Sequence, residues 1–263
     1  MYFNKSYIYL LLSFTCFVWW SCEDIAVEDL PPLVLETTSL TSGDTLTQET
    51  ISITLNSEGL ASEYRYMFDS DPWSDWSSGN VIVLEYLDEG AHELQLQALR
   101  TSSNDSTDLS DTSDIQMISF FVDAVEGPSL MFYPRRHKAQ SGEQVTFLIH
   151  AEEVENLMAA EMHLEFDTTA ISINAVIQGS FFINGQESIF SYDIGEGTIS
   201  ILTSVVNSDA PSVSGTGVLA EIQVTLLGSS DATISFSGNE VFRDPDNNDV
   251  VILEEVNGLV TEE

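Results

Sequence analysis

The sequence predicts an all-β chain built as two consecutive β-sandwiches. Apolar and polar residues alternate at period two in Ile51 to Leu55, His92 to Leu99, Gln144 to His150 and Ala220 to Leu226, the pattern of strands with one buried face. Gly, Asn, Asp and Ser break these runs at regular intervals, as turns between sandwich strands require. Gly127 and Pro128 interrupt two apolar runs, which places a boundary near 123 to 129. The one helix candidate, Ala151 to Met162, is short, and its Glu153, Glu155 and Asn156 suit a loop equally well.

The chain opens with Lys5, an apolar run from Ile8 to Trp20, the small residue Ser21 and then Cys22, followed by Glu23 and Asp24. A central run of about 13 apolar residues has the length of an export signal and is too short to span a bilayer. The segment resembles a bacterial lipoprotein signal peptide, with Trp19 and Trp20 where the usual motif prefers Leu and Ala. That resemblance implies removal of residues 1 to 21, acylation of the Cys22 thiol and a membrane anchor made of lipid. Acidic residues directly after the cysteine also resemble, loosely, a signal for export to the cell surface in one group of Gram-negative bacteria. The expected location is therefore the cell envelope, as a surface-exposed outer-membrane lipoprotein. Residues 22 to 32, with Pro31 and Pro32, form an acidic tether.

Removing the signal leaves about 240 residues, enough for two ordinary domains. The only other cysteine, Cys16, lies in the signal, so a mature acylated chain has no intramolecular disulfide and must be held by its core. Hydrophobic residues make up 43 % of the sequence, which supplies one. Acidic residues number 43 against 7 basic, and Arg135, Arg136 and Lys138 are three of the seven. A field of that sign repels phosphate backbones, which excludes nucleic acid as a partner.

The first domain is expected over 33 to 124. Leu87, Gly90, His92, Leu94, Leu96 and Ala98 resemble the fibronectin type III pattern, in which Leu and Gly precede a corner tyrosine and the alternating positions of the next strand. His92 stands at the tyrosine position, which places the corner hydrogen bond in question. Tyr64, Tyr66, Trp73, Trp76 and Tyr86 resemble the related triple-tyrosine module found beside bacterial sensor domains. Two readings stay open for these rings: a platform for sugars, or core residues of a sandwich. Trp73 and Trp76 sit in an Asp- and Ser-rich stretch expected to project from a sheet edge. Thr101 to Asp114 is almost wholly Ser, Thr, Asn and Asp and reads as a long mobile hairpin loop.

The second domain is expected over 129 to 255. Ser141, Gly142, Glu143, Val145 and Phe147 open it; Asn156, Leu157 and the strand Glu161 to Asp167 follow. Gly197, Thr198, Ile199 and Ile201, then Gly215 to Ile222, then Val241, Arg243 and Asp244 complete the series. Together these resemble the cohesin domain, whose jelly-roll-like sandwich is shared with several carbohydrate-binding modules. The resemblance implies capture of a dockerin domain, itself folded around calcium, through one face of the sandwich.

Chemistry-bearing motifs are few. Gly215 to Ala220 fits a dinucleotide fingerprint, but Glu221 to Leu226 continues at period two where a helix is required. Asp244, Asp246 and Asn248, with Glu255 at the twelfth position, have the spacing of a calcium loop. Asp249 holds the position that needs Gly, and Val250 to Leu253 read as a strand, so a turn capped by its own Asx side chains is the competing account. His92, His137, His150 and His163 show no ligand spacing, and no nucleophile elbow or phosphate loop is present. Among aromatics of the second domain only Phe181, Phe182, Phe190 and Tyr192 are dense, and core packing explains most of them. The expected function is a non-enzymatic, lipid-anchored binding protein whose partner is a dockerin-type domain on a polysaccharide-degrading enzyme. Direct carbohydrate binding and a purely structural envelope role stay open beside it.

Overall fold

The computed structural model describes residues 32–58, 60–104, 107–183, 187–206, 212–228 and 230–262. Among them there is no helix, and the strands form two sandwiches, as expected. The first contains β1 (Val34–Thr37), β2 (Thr45–Leu46), β3 (Ile51–Glu58), β4 (Glu63–Phe68), β5 (Val81–Leu84), β6 (Gly90–Asn104), β7 (Thr107–Thr112) and β8 (Gln116–Val122). One sheet runs β1-β3-β5 and the other β2-β8-β6-β4, with β7 on β6. Period-two alternation turns Ile53 and Leu55 of β3 and Leu94, Leu96 and Ala98 of β6 inward, where they pack with Ile118, Phe120 and Val122.

Two expectations for this domain need correction. The described residues of Thr101 to Asp114 are a hairpin, as expected, but a paired one rather than a loop: β6 continues to Asn104 and pairs with β7 from Leu99↔Thr112 to Asn104↔Thr107. A ladder needs backbone partners and extended-tolerant residues, and threonine supplies the latter without any apolar face. Nor does the Asp- and Ser-rich stretch project outward. Tyr64 and Ser77 exchange backbone hydrogen bonds at 2.7 and 2.9 Å, and the Ser74 N–H donates to the Tyr66 carbonyl oxygen at 2.8 Å, so the stretch lies along the free edge of β4. Trp73 and Trp76 then enclose the Arg65 guanidinium, 4.6 and 4.5 Å from the two ring centres. Tyr64 and Tyr66 pack against the core.

The second sandwich contains β9 (Ser129–Tyr133), β10 (Arg136–Ala139), β11 (Gln144–Leu157), β12 (Ala159–Phe166), β13 (Ile171–Gln178), β14 (Ser188–Ile194), β15 (Thr198–Val205), β16 (Val213–Leu226), β17 (Ala232–Phe236), β18 (Val241–Arg243), β19 (Glu254–Val256) and β20 (Gly258–Glu262). One sheet is ordered β13-β16-β11-β9-β19, the other β10-β20-β17-β12-β15-β14 with β18 beside β12. Its last strand, β20, reaches past the expected limit at 255 and pairs with both β10 and β17. Phe132, Phe147, Ile149, Met162, Leu164, Ile201, Ile222 and Val224 are among the residues buried between the sheets.

The stretch Ala151 to Met162 is neither helix nor loop but the end of β11 and the start of β12. Glu153 and Asn156 take left-handed backbone conformations, φ 49° and 56°, at register shifts against β16. Their displaced N–H groups donate to the hydroxyls of Thr216 and Ser214 at 3.1 and 2.9 Å, so two β-bulges stand where the polar residues broke the alternation. Glycine is required at two close approaches here. A Cβ at Gly179 would meet the Val218 carbonyl oxygen at 2.2 Å, and one at Gly217 the Phe181 ring at 2.6 Å.

The two sandwiches are joined through a short linker and a buried arginine. Ala124 and Val125 donate their N–H groups to the Glu89 carboxylate, each at 3.0 Å. Arg135, 7 % exposed, donates its backbone N–H to Asp88 Oδ1 at 2.6 Å and its side chain to the Leu87 carbonyl oxygen at 3.3 Å. Its guanidinium also pairs with Glu49. All three partners belong to the first domain.

Candidate partner-binding face

Strands β17, β12, β15 and β14 present one side to the core and the other to water. On β12 and β15, Met162, Leu164, Ile199, Ile201 and Thr203 are buried, so the alternate residues face outward. Register then fixes two rows across the sheet: Glu161, Leu202 and Ser191, and next to it His163, Ser200 and Asp193. His163 lies 3.1 Å from Ser200 Oγ through Nδ1 and 3.3 Å from Glu161 Oε1 through Nε2. Leu202 is 40 % exposed and Ile189, opposite Ser204, is 49 % exposed. Val206 adds a third exposed apolar side chain to this face, while Tyr192 and Ile194, opposite the buried Ile201 and Ile199, lie on the other side of β14.

The outer face of the other sheet is partly covered. Met131 of β9 packs with Val125 of the linker and Val256 of β19, and Tyr133 lies against His150 at 5.3 Å between ring centres. Burial pushes the His150 imidazole below its ordinary value. The face centred on Leu202 is therefore the more open of the two.

The calcium-spaced residues are used differently. Asp244 Oδ1 accepts the N–H groups of Asp246 and Asn248 at 2.9 and 2.8 Å, and Oδ2 accepts from the Asn248 amide at 2.9 Å. The Asn248 side-chain and backbone bonds hold the Asp244 carboxyl below the usual carboxylate range. Asp249 pairs with Arg243, and Glu255 interacts with Glu240 rather than with the loop. Among the described residues no group of three His, Cys, Asp or Glu side chains is placed to hold a metal ion. Cys22 lies outside the described residues. Phe181 and Phe182 are core residues meeting edge to face at 5.2 Å, Phe190 packs on the core, and Tyr192 is exposed. His137 donates from Nε2 to the Thr146 carbonyl oxygen at 2.8 Å.

Sequence reasoning did not find the diagonal juxtaposition of Ile189, opposite Ser204, with Leu202. The signal was present in β14, where Ile189, Phe190, Tyr192 and Ile194 occupy both parities of one strand, leaving apolar groups on both sides of the sheet.

A jelly-roll-like sandwich with one uncovered sheet face is the class of module these features define. The family model of the cohesin domain matches residues 134–261. Among solved structures, a non-cellulosomal cohesin from the archaeon Archaeoglobus fulgidus is 18 % identical, with 51 % of this chain and 90 % of that chain covered and a TM-score of 0.44. The sixth cohesin of Acetivibrio cellulolyticus scaffoldin B, in complex with a Cel5 dockerin, is 20 % identical over 51 % of this chain and 98 % of that one, with a TM-score of 0.45. A Clostridium thermocellum cohesin–dockerin complex, Coh-OlpA with Doc918, is 18 % identical over 51 % and 98 %, with a TM-score of 0.43. A search of curated proteins finds no match.

Proposed function

We propose that this chain is a lipid-anchored, non-enzymatic binding protein whose second domain captures a dockerin-type protein domain through the β17-β12-β15-β14 face. The family match over residues 134–261 supports the partner class. The open apolar groups Leu202 and Ile189, with Glu161 opposite Leu202 and Asp193 and Glu165 farther along the same face, are the observation that carries the choice of face. Apolar groups at the centre of a patch with charges at its rim are the usual anatomy of a protein interface. The carboxylates would steer a partner with a basic contact surface and make its on-rate fall with salt.

In this reading Cys22 carries the lipid, the first domain stands as a spacer from the membrane, and Arg135 fixes the angle between spacer and binding module. The partners are dockerins on polysaccharide-degrading enzymes, held near the cell surface. Binding depends on calcium through the partner's own fold.

The test is affinity capture by the full chain from the source organism's secreted proteins, with calcium and then with chelator. Recovery of a dockerin-bearing hydrolase that chelator releases, and that Leu202→Asp fails to recover, supports the reading. Equal capture by Leu202→Asp removes the face, and retention of the chain on insoluble polysaccharide with no protein recovered moves the function to direct glycan binding. Labelled fatty acid incorporated by the wild type and lost in Cys22→Ser tests the anchor.

A further inference from the structure

We infer that the cleft between the two sandwiches is a separate binding site, and that its ligand is a neutral saccharide of a few pyranose units. The cleft measures about 670 Å³, inside the range of roughly 300–1,000 Å³ common to small-molecule sites, which favour domain interfaces. Its walls come from the stretch after β4, the turn after β5 and strand β10, through Asp71, Trp73, Glu85, Tyr86, Arg136 and Lys138. The Arg135 contacts join β10 to the turn after β5, and His92, bonded to both Asp88 and Asp69, joins that turn to the stretch after β4, so the walls are set by the fold itself.

Three independent features select the ligand. The first is charge. Arg100, Arg135 and Arg243 each have a carboxylate partner, and Arg65 is enclosed by two indoles. Among the described residues neither Arg136 nor Lys138 makes an ion pair, in a chain with 43 acids. These two cations face the same cleft as Asp71 and Glu85. Guanidinium and ammonium groups only donate hydrogen bonds, and ionised carboxylates only accept. A ligand satisfied by both must donate and accept from neighbouring atoms, as the hydroxyls of a sugar do. An anion would meet Asp71 and Glu85, and a cation would meet Arg136 and Lys138.

The second feature is the backbone at Tyr86. Its φ is 58°, in the left-handed region that a bulky side chain takes only where the surroundings impose it, and such residues gather at ligand sites. The consequence is local: the phenol ring lies under the Arg136 guanidinium, 5.1 Å from its centre, which fixes the direction of those donors. The third is shape. Trp73, with Arg65 on one face, and the exposed Tyr86, with Arg136 on one face, line the cleft with ring surface of the kind that the carbon face of a pyranose covers.

This site does not depend on the dockerin reading, and the variants separate the two. The full chain is titrated with cellohexaose, xylohexaose and mannohexaose, and with oligogalacturonate as the anionic comparison, following tryptophan fluorescence and heat. At least one neutral hexaose is expected to bind saturably. Tyr86→Ala should weaken it by about tenfold or more, the exposed-site variant Lys138→Ala by a smaller factor, and Leu202→Asp not at all. Circular dichroism of each variant checks that it is folded. The proposal is overturned if none of the three neutral hexaoses binds, if oligogalacturonate binds in preference, or if folded Tyr86→Ala and Lys138→Ala both bind as the wild type does.

Discussion

The imidazole of His92 donates from Nε2 to the carbonyl oxygen of Asp88, four residues upstream, at 2.8 Å. This is the bond from ring to upstream backbone that a corner tyrosine makes in sandwiches of this kind, carried here by a different ring. The same imidazole stacks on Phe68 at 5.2 Å and lies 5.6 Å from Phe120, and its Nδ1 is 2.8 Å from Asp69 Oδ2. Asp88 in turn accepts the Arg135 N–H, so one residue serves both the corner and the domain junction.

His92→Phe keeps the stack and removes both polar contacts, leaving the Asp88 carbonyl oxygen without its ring donor. A loss of about 1–2 kcal/mol is expected in denaturant unfolding. His92→Tyr should recover part of that loss through the restored corner bond, without the Asp69 contact.

Arg135→Ala removes the side-chain bond to Leu87 and the pair with Glu49 while retaining its backbone bond to Asp88. Glu49 is about half exposed, so the expected cost is toward the lower part of about 1–3 kcal/mol. The more telling readout is geometry: small-angle scattering should show a broader distribution of interdomain distances than in the wild type. An unchanged profile would mean that the linker alone fixes the angle.

Partial desolvation, together with its contact and repulsion with Glu240, pushes the Glu255 carboxyl from 4.5 up to about 7. Between those two values the folded chain holds a proton that the unfolded chain has released. Stability from this pair is therefore present at low pH and lost as pH rises through about 7. Because Glu255 is exposed to water, the effect is small. Glu255→Gln should flatten the slope of Tm against pH between about pH 5 and about pH 8 and raise Tm at the upper end.

Gly179→Ala places a methyl group against the Val218 backbone, which cannot rotate away as a side chain would. A destabilisation of about 1–3 kcal/mol, the usual cost of overpacking, is expected in thermal or denaturant unfolding. At Gly217 the clash is with the Phe181 ring, and a smaller loss would show that the ring can shift.

The core strands were legible because their period-two pattern is a direct record of which face is buried. Ile53 and Leu55, or Phe147 and Ile149, need no tertiary information to be placed. The β6–β7 ribbon was not legible, since its Ser-, Thr- and Asp-rich sequence carries no period-two apolar pattern, and the bulges at Glu153 and Asn156 shift the parity midway along β11. Sites assembled across distant segments were hidden for another reason. Arg65 and the two tryptophans, Arg135 and Glu49, and Leu202 and Ile189 become neighbours through register and domain contact alone. The Asp244 turn was ambiguous because oxygen ligands for a cation and Asx caps for a backbone use the same residues at the same spacing.

The stretch that runs beside β4 and closes over Arg65 has a consequence for contacts between copies of this chain. An open strand edge is a template on which a neighbour can polymerise, and lateral crowding raises that hazard. With the backbone of Tyr64 and Tyr66 already bonded to Ser77 and Ser74, that edge offers no such template to a second copy.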